Sequence, residues 1–306
     1  MGGAILYRVV DAMVQEEKTR MANLVSEPDE ASPLRESNYK FIACTKTSVS
    51  AERLLGSLTP EQRSYVSVTH SLNVPVEVIE NADIVVLAFK PFMAEDVLTT
   101  PGMHQALAGK LVISVLAGQT PQDLTRMILR SEAIGPSQLD SRANPVLMSR
   151  PIVVKAIPNM AARYSQSTTI IETPEERLPD HMSSFVEWLF SQVGTIKYLP
   201  PNQMDLGSVL VGATLAAMTV PVEGMLDGCV VEGMKRPDAM ELMIGGLKGL
   251  TAALEAGVHP AVLRESISSP RGCTIQALLT LEKAGSRADY AEAIINGTQH
   301  LKKPKH

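Results

Sequence analysis

Apolar residues in the first two thirds of the chain recur in two alternating patterns. Strand-length runs stand at Phe41 to Cys44, Val66 to Val68, Asp83 to Ala88, Leu111 to Val115, Pro151 to Ile157, Thr168 to Ile171 and Thr195 to Leu199. Between them, Ser48 to Leu58, Val74 to Asn81, Phe92 to Leu107, Thr120 to Leu129 and Leu178 to Gln192 carry helical spacing. The runs at 83–88 and 111–115 are apolar throughout, the mark of parallel strands buried on both faces. This alternation predicts an α/β fold with a doubly wound, Rossmann-like sheet, whose ligands sit at the carboxyl ends of the strands. Ahead of the first strand, Ile5, Leu6, Val9, Val10, Met13 and Val14 share one helical face. Glu16 to Asn38, with Pro28 and Pro33, is expected to be a loop. Ser131 to Ser149, with Gly135-Pro136 and Asn144-Pro145, is expected to be a long inserted one.

After Pro200-Pro201-Asn202 the strand pattern stops. Asp205 to Gly233, interrupted by Gly212 and Pro221, is predicted helical, as are Pro237 to Glu255, His259 to Ile267, Thr274 to Ala284 and Ala288 to Leu301. Several of these patterns are apolar nearly all round, so each helix must be buried on every side. One copy of residues 200–306 would leave apolar surface over, which predicts an intimate homodimer. The expected division is a cofactor domain at 1–199 and a helical domain at 200–306.

The composition narrows the function classes. Of 306 residues, 45% are hydrophobic and 20% charged, which suits a soluble protein of about two domains. A net charge of −5 argues against general nucleic-acid binding, and the basic run Lys302-Lys303-Pro304-Lys305 is read as a solvated tail. Cys44, Cys229 and Cys273 show neither metal-ligand spacing nor an even disulfide count, so no metal site is expected. No apolar run is read as reaching the roughly 18 residues of a membrane span, and no signal peptide is seen. A cytoplasmic protein is expected.

The candidate chemistry centres on Ser268-Ser269-Pro270-Arg271-Gly272-Cys273-Thr274-Ile275. Pro270 ends the preceding helix, Gly272 lets the backbone turn tightly, and a new helical pattern starts at Thr274. Such a loop presents unpaired N–H groups where a helix begins and attracts an anion such as a carboxylate. On spacing alone the plainer reading is an ordinary capped turn between helices.

The loop resembles the SPGGTTI-type signature of the pyrroline-5-carboxylate reductases, and more closely the fungal form with Cys before Thr. Other segments resemble that family in the same order along the chain. Ala88-Phe89-Lys90-Pro91 is similar to its AVKP, Ser114 to Gly118 to its ISxxAG, and Val153 to Asn159 to its VVRxMPN. Four departures stand out. Arg271 replaces a glycine, Lys155 an arginine and Ile157 a methionine, and the segment around Gly212 lacks the family's proline and aromatic.

The resemblance implies NADPH-dependent reduction of the C=N bond of a cyclic imino acid, 1-pyrroline-5-carboxylate, to L-proline. Ser269, Gly272, Cys273 and Thr274 would bind the substrate, with Thr274 at the ring nitrogen orienting the protonated imine. Gly2, Thr45, Lys46, Thr47, Ala88, Lys90, Pro91, Ala117, Gly118 and Asn159 would bind the cofactor. Thr45, Lys46 and Thr47 can meet a 2′-phosphate and no acid follows that strand, which favours NADP over NAD. Lys46 is equally a solvated surface lysine on sequence alone. The family's dimers are interleaved and can assemble further into rings. A diverged reductase of another cyclic imine, or a non-catalytic paralogue that dimerises with a true reductase, are the alternatives.

Met1-Gly2-Gly3-Ala4-Ile5 resembles only the tail of the family's GxGxMGxAI. The strand leading into that turn normally lies mid-sheet and is worth about 10 kcal/mol in buried side chains. A gap in the sheet is therefore expected. Either the chain starts upstream of Met1, or the remaining strands pair differently and cofactor binds weakly; the first is the expectation.

Overall fold

A computed structural model describes residues 1–22, 39–71, 75–131 and 150–302. The chain forms two compact units, Met1–Val211 and Gly212–His306. The polypeptide turns from sheet to helix at Pro200-Pro201, while the division between units falls further on, inside a helix.

The first unit opens with α1 (Gly2–Ala22), followed by β1 (Phe41–Thr45), α2 (Ser48–Ser57), α3 (Pro60–Arg63) and β2 (Val66–His70). Then come α4 (Val76–Glu80), β3 (Ile84–Leu87), α5 (Ala94–Leu98), α6 (Met103–Leu107), β4 (Leu111–Ser114) and α7 (Pro121–Arg130). It ends with β5 (Ile152–Ile157), β6 (Ser167–Glu172), α8 (Asp180–Ser191) and β7 (Gly194–Leu199). Helix starts are set by local chemistry. The side chains of Thr47 and Thr120 accept from the N–H of Ser50 and Asp123, and Thr59 and Gln62 cap α3 reciprocally.

All four residues of β4 are buried, as its unbroken apolar run requires. Successive side chains point to opposite faces. Leu111 and Ile113 meet Ile5 and Val9 of α1 and Phe185, Val186, Leu189 and Phe190 of α8. Val112 meets Leu98 of α5, Leu107 of α6, and Leu124 and Ile128 of α7 on the other side. This is the doubly wound arrangement expected from the alternating pattern.

The strands do not form one sheet. β1 and β2 pair in parallel as a separate two-stranded sheet, and β3-β4-β5-β6-β7 form the other. The expected mid-sheet gap therefore lies between β1 and β3. Helix α1 spans it, placing Ile5 and Val9 in one core and Val10 in the cluster over β1 and β2, while Phe41 packs against both.

The structure departs from the plain periodic reading in three places. Helix α1 runs through Ala22 instead of giving way to a loop at Glu16, because its polar end is held by α3. Gln62 Nε2 donates to Asp11 Oδ1 (3.0 Å), and Lys18 pairs with Glu61 (2.5 Å). Strand β6 runs antiparallel to β5, since the short 3-10 turn Met160–Tyr164 between them is too short for a parallel crossover. Helix α9 (Met204–Val231) is continuous through Gly212 and Pro221. The expected loop residues 23–38 and 132–149, the start of the 74–81 helix and the tail 303–306 lie outside the described residues.

The second unit holds the rest of α9 with α10 (Arg236–Glu255), α11 (Pro260–Ser266), α12 (Cys273–Lys283) and α13 (Ser286–Lys302). Its apolar side chains are mostly in the open. Leu215, Met218, Val220, Met225, Leu242, Ile244, Leu279 and Leu281 are exposed, whereas Leu226 and Ala239 are its buried hydrophobics among the described residues. A further correction follows. The segment Pro201–Val231 is long and apolar enough, by length and composition alone, to cross a membrane, and it contains an 18-residue stretch with a mean hydropathy of 1.7. Spread of Gly, Ser and Thr along it hides that run from the eye.

Candidate active site

Three of the expected cofactor segments follow parallel strands of one sheet, β3, β4 and β5, and so lie at one end of it. They are tied together. Val115 N donates to Leu87 O (3.1 Å), and Gln119 Nε2 reaches Pro91 O (3.5 Å), linking the turn after Ala117-Gly118 to the turn holding Ala88, Lys90 and Pro91. Gly118 has φ +69°, in the region glycine adopts freely. The start of α1 belongs to the same end. A Cβ on Gly2 would lie 2.7 Å from the Ala88 Cβ, and one on Gly3 would lie 3.6 Å from Leu54 of α2, the helix that follows β1.

Past β1, Lys46 and Thr47 are exposed and Thr45 is half-buried. The Thr45 hydroxyl lies within reach of two carbonyls, Thr47 O (3.1 Å) and Thr69 O (3.3 Å), so its proton is used inside the turn. Thr47 Oγ1 caps α2 by accepting from Ser50 N (3.2 Å). Lys46 is left as the outward cation beside a helix N-terminus, and no carboxylate stands in that turn. The close approach at Gly2, the glycine turn at Gly118 and the Lys46 cation together suit an anionic dinucleotide such as NADP.

Asn159 sits where β5 ends. Its backbone N–H donates to Ser167 Oγ (3.0 Å), its Oδ1 accepts from Ala161 N (3.0 Å), and its Nδ2 donates to Val211 O (3.3 Å). The side chain is therefore bound within the first unit at both ends. It fixes the turn after β5, the plain strand-ending role that the Pro158-Asn159 pair also allows. Ser167 was missed, although a buried Ser opening a strand next to such a turn is a recognisable acceptor.

Beneath this turn lies a buried ion pair. Lys155 Nζ stands 4.0 Å from Glu172 Oε2, with side chains 2% and 8% exposed. Burial pushes the Glu172 carboxyl up; Lys155 draws it down, and Glu175 and Asp205 add to the rise.

The expected substrate loop belongs to the second unit. Gly272 N donates to Ser269 O (3.0 Å), and Arg271, at the third position of that turn, has φ +62°. Pro270 second and a left-handed residue third make the turn one that asks for glycine where Arg271 stands. A Cβ on Gly272 would meet the rotatable Ser269 Oγ at 2.5 Å and the Ser269 carbonyl at 3.1 Å, so the glycine sits in close quarters. Gly272 then caps α12 without a side chain, leaving the first N–H groups of the helix without a side-chain acceptor. Cys273 and Thr274 are the first two residues of α12, so the helix starts one residue earlier than its apolar pattern suggested. Thr274 is half-buried; Ser269, Arg271 and Cys273 are exposed. Among the described residues no cluster of His, Cys, Asp and Glu could hold a metal ion.

Residues 201–303 match a family model described as pyrroline-5-carboxylate reductase dimerisation, and residues 20–118 one described as NADP oxidoreductase coenzyme F420-dependent. The pyrroline-5-carboxylate reductase of Neurospora crassa is 33% identical, the alignment covering 84% of this chain and 78% of that protein. That of Lophium arboricola is 34% identical over 85% of this chain and 77% of its own length. Among solved structures, the NADP-bound pyrroline carboxylate reductase of Plasmodium falciparum superposes with a TM-score of 0.67 at 20% identity, covering 87% of this chain and 97% of that one. The Streptococcus pyogenes enzyme gives 0.68 at 20% identity, over 88% and 92%. Fold, order of segments and relatives agree, and the chain belongs to the pyrroline-5-carboxylate reductase family.

Proposed function

We propose that this chain reduces the C=N bond of 1-pyrroline-5-carboxylate to L-proline with NADPH. The observation that carries this is the tight Ser269–Gly272 turn, which delivers the open N–H groups of α12 beside the Thr274 hydroxyl. A cyclic imino acid offers the matching pair, a carboxylate and a ring nitrogen. The N–H groups of Cys273 and Thr274 would hold the carboxylate, and Thr274 Oγ1 would orient the protonated imine. Bound NADPH supplies the hydride. On the cofactor side, Gly2 allows close approach of the backbone, Lys46 meets the 2′-phosphate, and the Ala88, Lys90-Pro91, Ala117-Gly118 and Asn159 segments shape the rest of the cleft.

The exposed apolar faces of α9, α10 and α12, together with the match to a dimerisation family, support a homodimer. Arg271 favours a second reading in detail. Its cation stands on the carboxylate turn in a conformation costly for any residue but glycine, which suits a more anionic or decorated imine. The deciding experiment follows consumption of NADPH and NADH against five- and six-membered cyclic imino acids. Turnover confined to the five-membered ring with NADPH supports the proposal; no turnover of any cyclic imino acid refutes it.

A further inference from the structure

Strands β5 and β6 pair over only two rungs, Ala156 with Ile171 and Ile157 with Ile170. Every other ladder in the unit is longer. A ladder so short fixes its own register weakly, and a slip of one residue would carry each side chain to the opposite face. Yet Pro158-Asn159, part of the proposed cofactor cleft, hangs directly from the end of this ladder.

Side-chain contacts close it at both ends. Beyond Ile157–Ile170, Asn159 N–H donates to Ser167 Oγ, on a serine that is 1% exposed. Beyond Ala156–Ile171, the next opposed positions in register are Lys155 and Glu172, the buried ion pair. By alternation Lys155 and Glu172 share a face with Ile157 and Ile170, the face on which Met204 and Val211 of α9 pack. A one-residue slip of β6 would part Glu172 from Lys155 and turn it towards the opposite, apolar core that holds Ala156 and Ile171.

The pair is not explained by stability. At 4.0 Å it is too long for a good hydrogen bond, and both groups are withdrawn from water. A buried pair of this kind is typically neutral or costly compared with apolar residues of the same size, and its best-attested use is to specify register. We infer that Lys155 and Glu172 are positioning residues, a register pin that holds the β5–β6 ladder so that Pro158-Asn159 is presented correctly to the cofactor. The effect on catalysis rests on the reductase reading above; the pinning itself does not.

The test uses the full chain carrying Lys155→Met, Glu172→Met, the two together, Lys155→Arg and Glu172→Gln. Each single Met variant removes one charge of the buried pair and should melt lower. The double variant should recover the wild-type Tm or exceed it, while its turnover stays about 10- to 100-fold down, the scale of a misplaced reacting geometry. Lys155→Arg keeps the charge and should retain turnover. Amide hydrogen exchange at Asn159 should be about tenfold faster in the double variant at unchanged global stability, and faster in Glu172→Gln beyond any change in that variant's global stability. That readout needs no activity, so it stands if the substrate reading fails. A double variant with wild-type exchange at Asn159 overturns the pin. Faster exchange with wild-type turnover overturns its part in catalysis.

Discussion

Gly2 and Ala88 lie so close that a Cβ on the first would come within 2.7 Å of the Cβ of the second. The start of α1 is thereby seated on the end of β3, where the proposed cofactor segments gather. Gly2→Val should lift α1 from this seat, lower the Tm and weaken NADPH binding. Ala88→Gly in the same molecule makes room for a Cβ and should restore much of both for Gly2→Ala. Calorimetric titration with NADPH and a melting curve on wild type, Gly2→Ala, Ala88→Gly and the double variant check this; independent, additive effects would break the link.

Lys46→Ala removes an exposed cation and nothing packed. It should raise the KM for NADPH about two- to fivefold, within the range of an exposed ion pair, and leave that for NADH unchanged. Equal effects on both cofactors would show that Lys46 does not read the phosphate.

Thr274→Ala should lower kcat by about one to three orders of magnitude, the scale of one oriented hydrogen bond at a reacting centre. Gly272, not Thr274, is the cap of α12, so the fold should be little affected. Steady-state kinetics beside circular dichroism separate the two; unchanged kinetics would remove Thr274 from the site.

Arg271→Gly should act in opposite directions on stability and on binding. Relief of the left-handed backbone is worth about 1 kcal/mol, partly offset by the freer unfolded chain, so the Tm should hold or rise slightly. The KM for an anionic ring substrate should rise as the cation goes. A variant that melts lower would contradict the strain at φ +62°, and an unchanged KM would place the guanidinium away from substrate.

Glu172 makes a signed pH prediction. Its folded carboxyl is held above the ordinary 4.5, first by burial, so the fold binds its proton more tightly than the unfolded chain does. Stability from this group is complete below the ordinary value and is lost as pH rises through the raised one. The Tm of wild type relative to Glu172→Gln should therefore fall as pH rises from about 4.5 towards neutrality. A difference that grows with pH would mean that Lys155 outweighs burial.

Most of the sheet was legible because β3, β4 and the helices around them obey simple periods: Leu111 and Ile113 on one face, Val112 on the other. That a tight turn lies between two helices was legible from Pro270 and Gly272, but its left-handed residue is Arg271, while Gly272 is extended. What sequence could not show was tertiary. The polar end of α1 stays helical because Gln62 and Glu61 of α3 hold Asp11 and Lys18. Its signal was the Thr59-Pro60-Glu61-Gln62 capping box, which marks α3 but not its partner. The antiparallel turn into β6 follows from the short connection at Met160–Tyr164, and the service of Asn159 to that turn depends on Val211, far along the chain.

The divided sheet also bears on behaviour in concentrated solution. The outer strand β7 carries Lys197, the kind of charge that discourages a foreign strand from adding to an edge. The inner edges carry no such guard: β1 reads Phe-Ile-Ala-Cys-Thr and β3 Ile-Val-Val-Leu, without a charge or proline, and Ile42 and Val86 are exposed. They have the chemistry of strands meant for the middle of a sheet while standing at its margins. Any extended apolar segment, including one from a neighbouring molecule, finds there a ready row of N–H and C=O groups, so aggregation should begin at β1 and β3 before it begins anywhere in the helical unit.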